Sequence, residues 1–438
     1  MTQSFLNSTK AESGDIKTLS IASNVTPGKS ISLKTSVVEL RYYESILDSS
    51  VRTSVIFGDT GNSLEGKSVL RELPIVGTEL CEVAIADNND NEIRVELLVD
   101  SVKPLRENPG ETDIALTLVS QEFIVNDLTR VNIRFDGKIS DHINKIMTEK
   151  NFIGTQKTLD IEPTQNNYNF FGNNRKPLYL CNWLCKKSVP NSAQPGKTAG
   201  YFFYETSLGY KFKSIETLLQ QKPKRKLIFT DTPDSRGAKI PEGYDGKVLA
   251  LQNNGNFNSQ KKFEGGAYHT RHVKFDPFNC FYEVTEQKSE DIESDLKLAG
   301  KELPKLNPEL GEKITNFTKT TYAIVDKGTI PSGSSQQQIE KAKEINFDYS
   351  NIVNQASQRY NQLFTIKKSI TIPGDFSLNA GDTIFVDIPE ASEDKMKQEV
   401  DPQTGGLYII ADLCHYITPD RCLTKLNLVR DSYGRKVT

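Results

Sequence analysis

Residues 61–74 read GNSLEGKSVLRELP, and the fold class turns on what this stretch is. Gly61, Gly66, Lys67 and Ser68 satisfy the phosphate-loop pattern, in which backbone N–H groups cradle phosphates, the lysine reaches the terminal ones and the hydroxyl binds magnesium. Such a loop works between a buried parallel strand and a full helix whose N-terminus faces the phosphate. Here only VLREL could be helical before Pro74 stops it, and a strand signal follows at once. Asp100, at the end of ELLVD, could pose as a magnesium carboxylate, yet nothing between the two segments could be a crossover helix. The stretch reads as a hairpin loop in an antiparallel β protein, with no nucleotide, cofactor or metal expected.

The flanking sequence carries the same message. VVELRYYESI and VRTSVIFGD are β-branched and aromatic, and ELCEVAIADNNDNEIRVELLVDSV is two alternating runs around an Asn/Asp turn. DIALTLVSQEFIV and TRVNIRFDG continue the series, so strands follow strands with no long helix between them.

Beyond these strands the pattern becomes mixed. Ser140 reads as an N-cap for DHINKIM, and PLYLCNWLCKK as a helix opening with Pro177 whose apolar face holds Leu178, Cys181 and Cys185. Cys181 and Cys185 with His269 and His272 fit a zinc site poorly, because the histidine spacing is short and the cysteines lie on that apolar face. GYFFYETSLGYKFKSIETLL is two short strands around a turn, then a helix from Ser214. The basic run KPKRK at 222–226 reads as a solvated helix end, which favours the helix dipole. AYHTRHVKFD and FNCFYEVTE are strands, and NIVNQASQRYNQLF is an amphipathic helix with Ile352, Ala356, Tyr360 and Leu363 on one side. KKSITIPG, DTIFVDIPE, GLYIIADLCHYI and CLTKLNLVRDS complete the strands.

Composition is consistent with this and excludes little else. The 438 residues carry a net charge of only −3, so nothing global points to nucleic acid or an anionic membrane. No apolar run reaches the about 18 residues of a membrane span, and the polar start lacks the profile of a signal peptide. Six cysteines in so long a chain make no disulfide framework, and a reducing compartment is the simpler reading. His415 has no Ser, Cys or acidic partner at catalytic spacing and reads as a sheet histidine, while Gly381 and Asp382 read as hairpin geometry.

Three collinear stretches resemble the baseplate hub proteins of contractile-tailed bacteriophages and the first half of type VI secretion spike proteins. They are LRELPIVGTELCEVAI (70–85), the FFYETSLGYKF block, and LNAGDTIFVDIPE…GGLYIIADLCHYIT…LNLVRDSYG (378–434). The residues carrying the likeness are Pro74, Gly77, Phe202, Phe203, Glu205, Gly209, Phe212, Gly381, Asp382, His415, Arg430 and Asp431, expected as structural positions. The resemblance implies a non-enzymatic homotrimer in which each subunit gives two barrel-like tube domains to a pseudo-sixfold ring. That ring would adapt a sixfold tail tube to a threefold central spike and pass phage DNA without reading its sequence. The implied partners are the spike, tail tube or tube-initiator proteins and baseplate wedge proteins, with no stable membrane insertion. The implied location is the virion's tail baseplate, assembled in the host cytoplasm. The chain ending after its second body leads us to expect a separate spike subunit. A headless phage-derived injection particle would use the same hub.

The expected fold is therefore mainly β (α+β). An arm at 1–35 precedes tube domain I at 36–137 and a mixed α/β domain at 138–265. Tube domain II comprises 266–286 and 346–434, interrupted by a charged insertion at 287–345, taken as an excursion tolerant of shortening.

Overall fold

The computed structural model describes residues 14–26, 28–60, 69, 73–108, 111–191, 198–229, 240–253, 258–277, 280–311, 319–324, 334–337, 349–390 and 400–436. The chain is mainly β, built on a large curled sheet of 14 strands. Its first half supplies β1 (Asp15–Ala22), β2 (Ser30–Ser32), β3 (Val37–Ser45), β4 (Arg52–Asp59), β5 (Leu80–Ala86), β6 (Glu92–Asn108) and β7 (Glu111–Val119). The two runs around the Asn/Asp turn form the expected hairpin, β5 with β6, and β3 pairs with β4, both antiparallel. Residues 15–22, expected within an arm, instead pair with β5, because Leu19 and Ile21 alternate inward among the serines and threonines.

The connection holding the phosphate-loop match is not a hairpin, since β7 and β6 lie between β4 and β5 in the sheet. β4 runs antiparallel to both its neighbours, β3 and β7, so the strand before the loop is not the parallel one that phosphate binding needs. Residues 61–68 lie outside the described residues. Val69 N–H donates to Asp59 Oδ2 at 2.7 Å, and Leu73 N–H to Val69 O, just ahead of Pro74.

A middle unit follows. β8 (Arg134–Phe135) pairs with β10 (Phe170–Phe171), and β9 (Leu159–Ile161) joins the hairpin of β11 (Tyr201–Thr206) and β12 (Gly209–Ser214). Two expected strands are corrected here. SQEFIV is largely helix, Gln121–Leu128, because Ser120 turns its hydroxyl to Glu205 and ends the ladder; of TRVNIRFDG only β8 is a strand, with a single bridge from Val131 to Arg175 before it. The helices Ile139–Thr148 and Pro177–Cys185 pack Ile143, Ile146, Met147, Leu178, Cys181 and Cys185 into this unit's own core. The first starts one residue before Ser140, with Lys138 at the cap; the second opens on proline as expected. Ser214 caps the helix Ile215–Gln220 by accepting from Thr217 N–H.

Residues expected in the middle domain then return to the large sheet as β13 (Lys226–Phe229), β14 (Gly246–Val248) and β15 (Ala250–Asn253). After the helix Ser259–Gly265, β16 (His269–Asp276), β17 (Phe281–Lys288) and β18 (Lys319–Ile324) form a separate three-stranded sheet, so 266–286 is no part of the large one. Its inner face packs on the helix Tyr349–Leu363, where Asn354 and Gln358 amides donate to the Thr285 and Gln287 carbonyls.

The last strands are β19 (Ile366–Pro373), β20 (Thr383–Asp387), β21 (Gly406–Thr418) and β22 (Arg421–Arg430). β21 joins the halves: along one edge it pairs with β22, and along the other first with β20 and then, after an irregularity at Ala411, with β3. The pairings β14–β13–β20–β21–β22–β19–β15 form one path whose end strands, β14 and β15, follow each other in the chain through Leu249. One core runs beneath both halves, from Leu19, Val55 and Phe57 to Ile370, Tyr408 and Leu428.

Candidate functional site

β11, YFFYET, is buried along its whole length, so both of its faces must find partners. Tyr201 and Phe203 point into the middle core with Phe212, whereas Phe202 and Tyr204 point into a third cluster with Ile46, Leu363, Ile409 and Val429. Those four come from the β3–β4 turn, the long helix and the last strands, so β11 is where the halves and the middle unit meet.

The polar groups of this joint are carboxylates. Glu205 Oε2 accepts from Val51 N–H at 2.9 Å and Ser120 Oγ at 2.5 Å, and Lys157 Nζ reaches its other oxygen at 2.6 Å and Glu122 at 2.7 Å. Burial raises the Glu205 carboxyl, and Lys157 and the hydrogen bonds pull it back. Glu44, on β3, accepts from Tyr42 Oη at 2.9 Å, Ser207 N–H at 2.6 Å and Ala380 N–H at 2.9 Å. One carboxyl thereby fastens β3, the β11–β12 turn and the loop before β20, and burial lifts it to about 7. Asp382 accepts from Asn379 N–H at 2.7 Å and from Lys224 Nζ at 2.7 Å. Gly381, at φ 83°, leaves room for Tyr204, whose hydroxyl lies 2.1 Å from where a Cβ would sit; Gly209, at φ 117°, is pressed likewise on the Thr158 carbonyl at 2.3 Å.

A second cluster closes on Arg359, which has no exposed surface. Its Nε donates to Glu216 at 2.9 Å and its Nη1 to Asp431 at 2.7 Å. Asp431 also accepts from Ala299 N–H at 3.0 Å, and Glu216 from Lys297 N–H at 2.6 Å. Breaking such a buried pair from one side costs about 3–5 kcal/mol, because the partner charge stays buried. This corrects the insertion reading at its start. Ala299 and Gly300 are pinned to Asp431 and Ser432 just past β22, Lys297 N–H is pinned to Glu216, and Ala299 and Leu303 are buried. β18, within the same segment, is a paired strand.

The basic run is corrected too. Lys224 faces Asp382, and Arg225 Nε donates to the fully buried Asp375 at 3.0 Å, so the run is held inward by two carboxylates. Arg430 donates to the Gly405 carbonyl at 2.7 Å. His415 is fully buried, stacked on Tyr42 at 6.0 Å and bonded to Thr424 Oγ1 at 2.9 Å; burial lowers it to about 3 and keeps it neutral. Pro74 and Gly77 sit apart, in the connection before β5, where Gly77 N–H donates to Glu79.

Phe202, Glu205, Gly381 and Asp382 thus converge on one joint and Arg430 and Asp431 on a neighbouring one, while Pro74, Gly77 and His415 are elsewhere. Sequence reasoning missed Glu44, Lys157, Glu216, Asp375 and Arg359. No local pattern marks them, since the partners of Arg359 lie 143 and 72 positions away. Each carboxyl here is occupied by N–H, hydroxyl or cationic donors, so its chemistry is adhesion between elements. Among the described residues no three His, Cys, Asp or Glu are placed to hold a metal, and no helix is long and apolar enough to cross a membrane.

A curled sheet is thus locked to a middle unit by buried ion pairs, and solved structures share this arrangement of the fold. The chain shares its fold over nearly its whole length with a tail protein from Neisseria meningitidis MC58, at TM-score 0.52 and 10% identity, covering 94% of this chain and 96% of that one. The 43 kDa tail protein of prophage MuSo2 from Shewanella oneidensis matches at TM-score 0.51 and 10% identity, covering 95% and 98%. No protein-family model matches the chain, and no curated protein matches it in sequence. The fold is that of phage tail proteins, in agreement with the sequence resemblance.

Proposed function

We propose that the chain is the structural hub of a contractile tail baseplate. In this reading three copies form a ring with pseudo-sixfold symmetry that adapts the tail tube to the central spike and leaves a channel for the genome. The observation that carries it is the end-to-end likeness to two tail proteins. The continuous curled sheet, which strands of both halves share, supports a subunit with two tube-like bodies. The partners are then a spike, tube or tube-initiator proteins and wedge proteins, and the place is the tail baseplate, with assembly in the bacterial cytoplasm. The reading assigns no enzymatic activity: the buried carboxylates and His415 serve packing. The twelve motif residues act through the shape of the subunit. Purified tails test it by immunogold electron microscopy against this chain. Label at the baseplate end is expected, and label along the tube or on the sheath contradicts the reading. A hub of a headless injection particle would give the same label on particles without capsids.

A further inference from the structure

Beside β11 the surface opens into a cleft of about 390 Å³, large enough for a bulky side chain and the residue next to it. Its floor and walls are apolar and aromatic. Phe202 lies at the bottom, edge-on to Tyr360 with ring centres 5.3 Å apart, while Phe364 stands at one side and Leu47, 62% exposed, at the rim. Tyr360 cannot turn to meet a ligand, because its hydroxyl is bonded to the Tyr201 backbone. The elements around it are the β3–β4 turn, the helix Pro177–Cys185 and the long helix. The long helix is held from behind by the Arg359 ion pairs, the β3–β4 turn by the Val51 N–H bond to Glu205, and the helix Pro177–Cys185 by Leu178, Cys181 and Cys185 in the middle core, so the cleft is preformed.

The charged side chains at the cleft itself are lysines, while Asp48, next to Leu47, is paired with Arg52. Lys186 lines it, is exposed, and forms no ion pair with any described carboxylate. Lys367 is exposed beside it, its ammonium 5.5 Å from the Phe364 ring centre and likewise without a described carboxylate partner. A third lysine, Lys262, donates to the Asn361 carbonyl behind the wall. Burial and the charge of Lys367 lower its ammonium to about 8. Among the described residues no acidic one lines the cleft. Lysines that lack a counter-ion around an aromatic pocket leave a local positive potential and an apolar surface unmatched together.

We propose that this cleft is a docking site for an acidic, aromatic- or aliphatic-anchored segment of a partner protein. The anchor side chain fills the space over Phe202 and Tyr360, and flanking carboxylates meet Lys186 and Lys367. Apolar anchoring sets the affinity, and the two lysines set the choice of partner. The inference stands on the cleft alone and does not depend on the assembly reading.

Two capped tetrapeptides test it on the full chain, acetyl-Asp-Leu-Phe-Glu-amide and acetyl-Lys-Leu-Phe-Lys-amide, followed by saturation-transfer NMR. Decanoate serves as a small amphiphile of the same sign of charge. The acidic peptide is expected to bind at least about tenfold more tightly than the basic one. Lys186→Glu with Lys367→Glu, both on exposed side chains, is expected to reverse that order. Equal binding of the two peptides, binding indifferent to the double charge reversal, or binding by neither peptide overturns the proposal. So does tighter binding of decanoate than of the acidic peptide, which would assign the cleft to a small amphiphile.

Discussion

Glu44 is held at the joint by Tyr42, Ser207 and Ala380, none of them charged. Burial raises its carboxyl from 4.5 to about 7, and Asp382 pushes the same way against the three donors. A folded-state value above the unfolded one means that the carboxyl's contribution is full below about pH 4.5 and is lost as pH rises through about 7. The gap corresponds to roughly 3 kcal/mol. Urea titrations of the native chain and of Glu44→Gln, at pH 5 and pH 8, should therefore show the glutamine variant gaining about 2–3 kcal/mol relative to the native chain on going to the higher pH. A difference that does not change with pH would mean that Glu44 is ionised throughout and that its donors outweigh its burial. This residue was not legible in VVELRYYESI. A glutamate in an alternating strand normally faces water, and only the tertiary contacts of β11 and the loop before β20 turn that face inward.

Elements were legible where the chain supplies its own partner. The β3–β4 and β5–β6 hairpins carry alternation and turn residues together, and Pro177 and Ser214 mark helix starts through local backbone chemistry. The helix Gln121–Leu128 was not, because Phe123, Ile124 and Val125 continue the strand-like composition of β7 past the point where Ser120 turns to Glu205. The charged segment misled for a different reason. Its polar composition resembles a linker, yet Ala299 and Gly300 are needed as backbone donors to Asp431 and Ser432. Replacing 291–303 by a short Gly/Ser bridge should accordingly lower stability by at least about 3 kcal/mol, since it strips partners from a buried charge triad. A urea transition unchanged in midpoint and slope would show the segment to be dispensable after all.

At the scale of the molecule, β21 is the feature that matters most. By pairing with β22 on one edge and with β20 and β3 on the other, it turns two strand systems into one curved wall. Two β-rich bodies were the expectation from sequence and this seam was not, because sheet order between distant strands leaves no local signature. A rigid subunit with two tube-like bodies can match a sixfold tube with three copies, and cyclic closure protects the strand edges that open polymerisation would use. Weak contacts could leave the free chain monomeric in dilute solution, so the state that counts is the one inside the tail. Electron cryomicroscopy of intact tails, reconstructed without imposed symmetry at the baseplate, measures it directly. The account predicts three copies of this chain in one ring, each contributing two bodies at about 60° intervals around the channel. A ring of two or six copies, or one body per chain facing the channel, would contradict it.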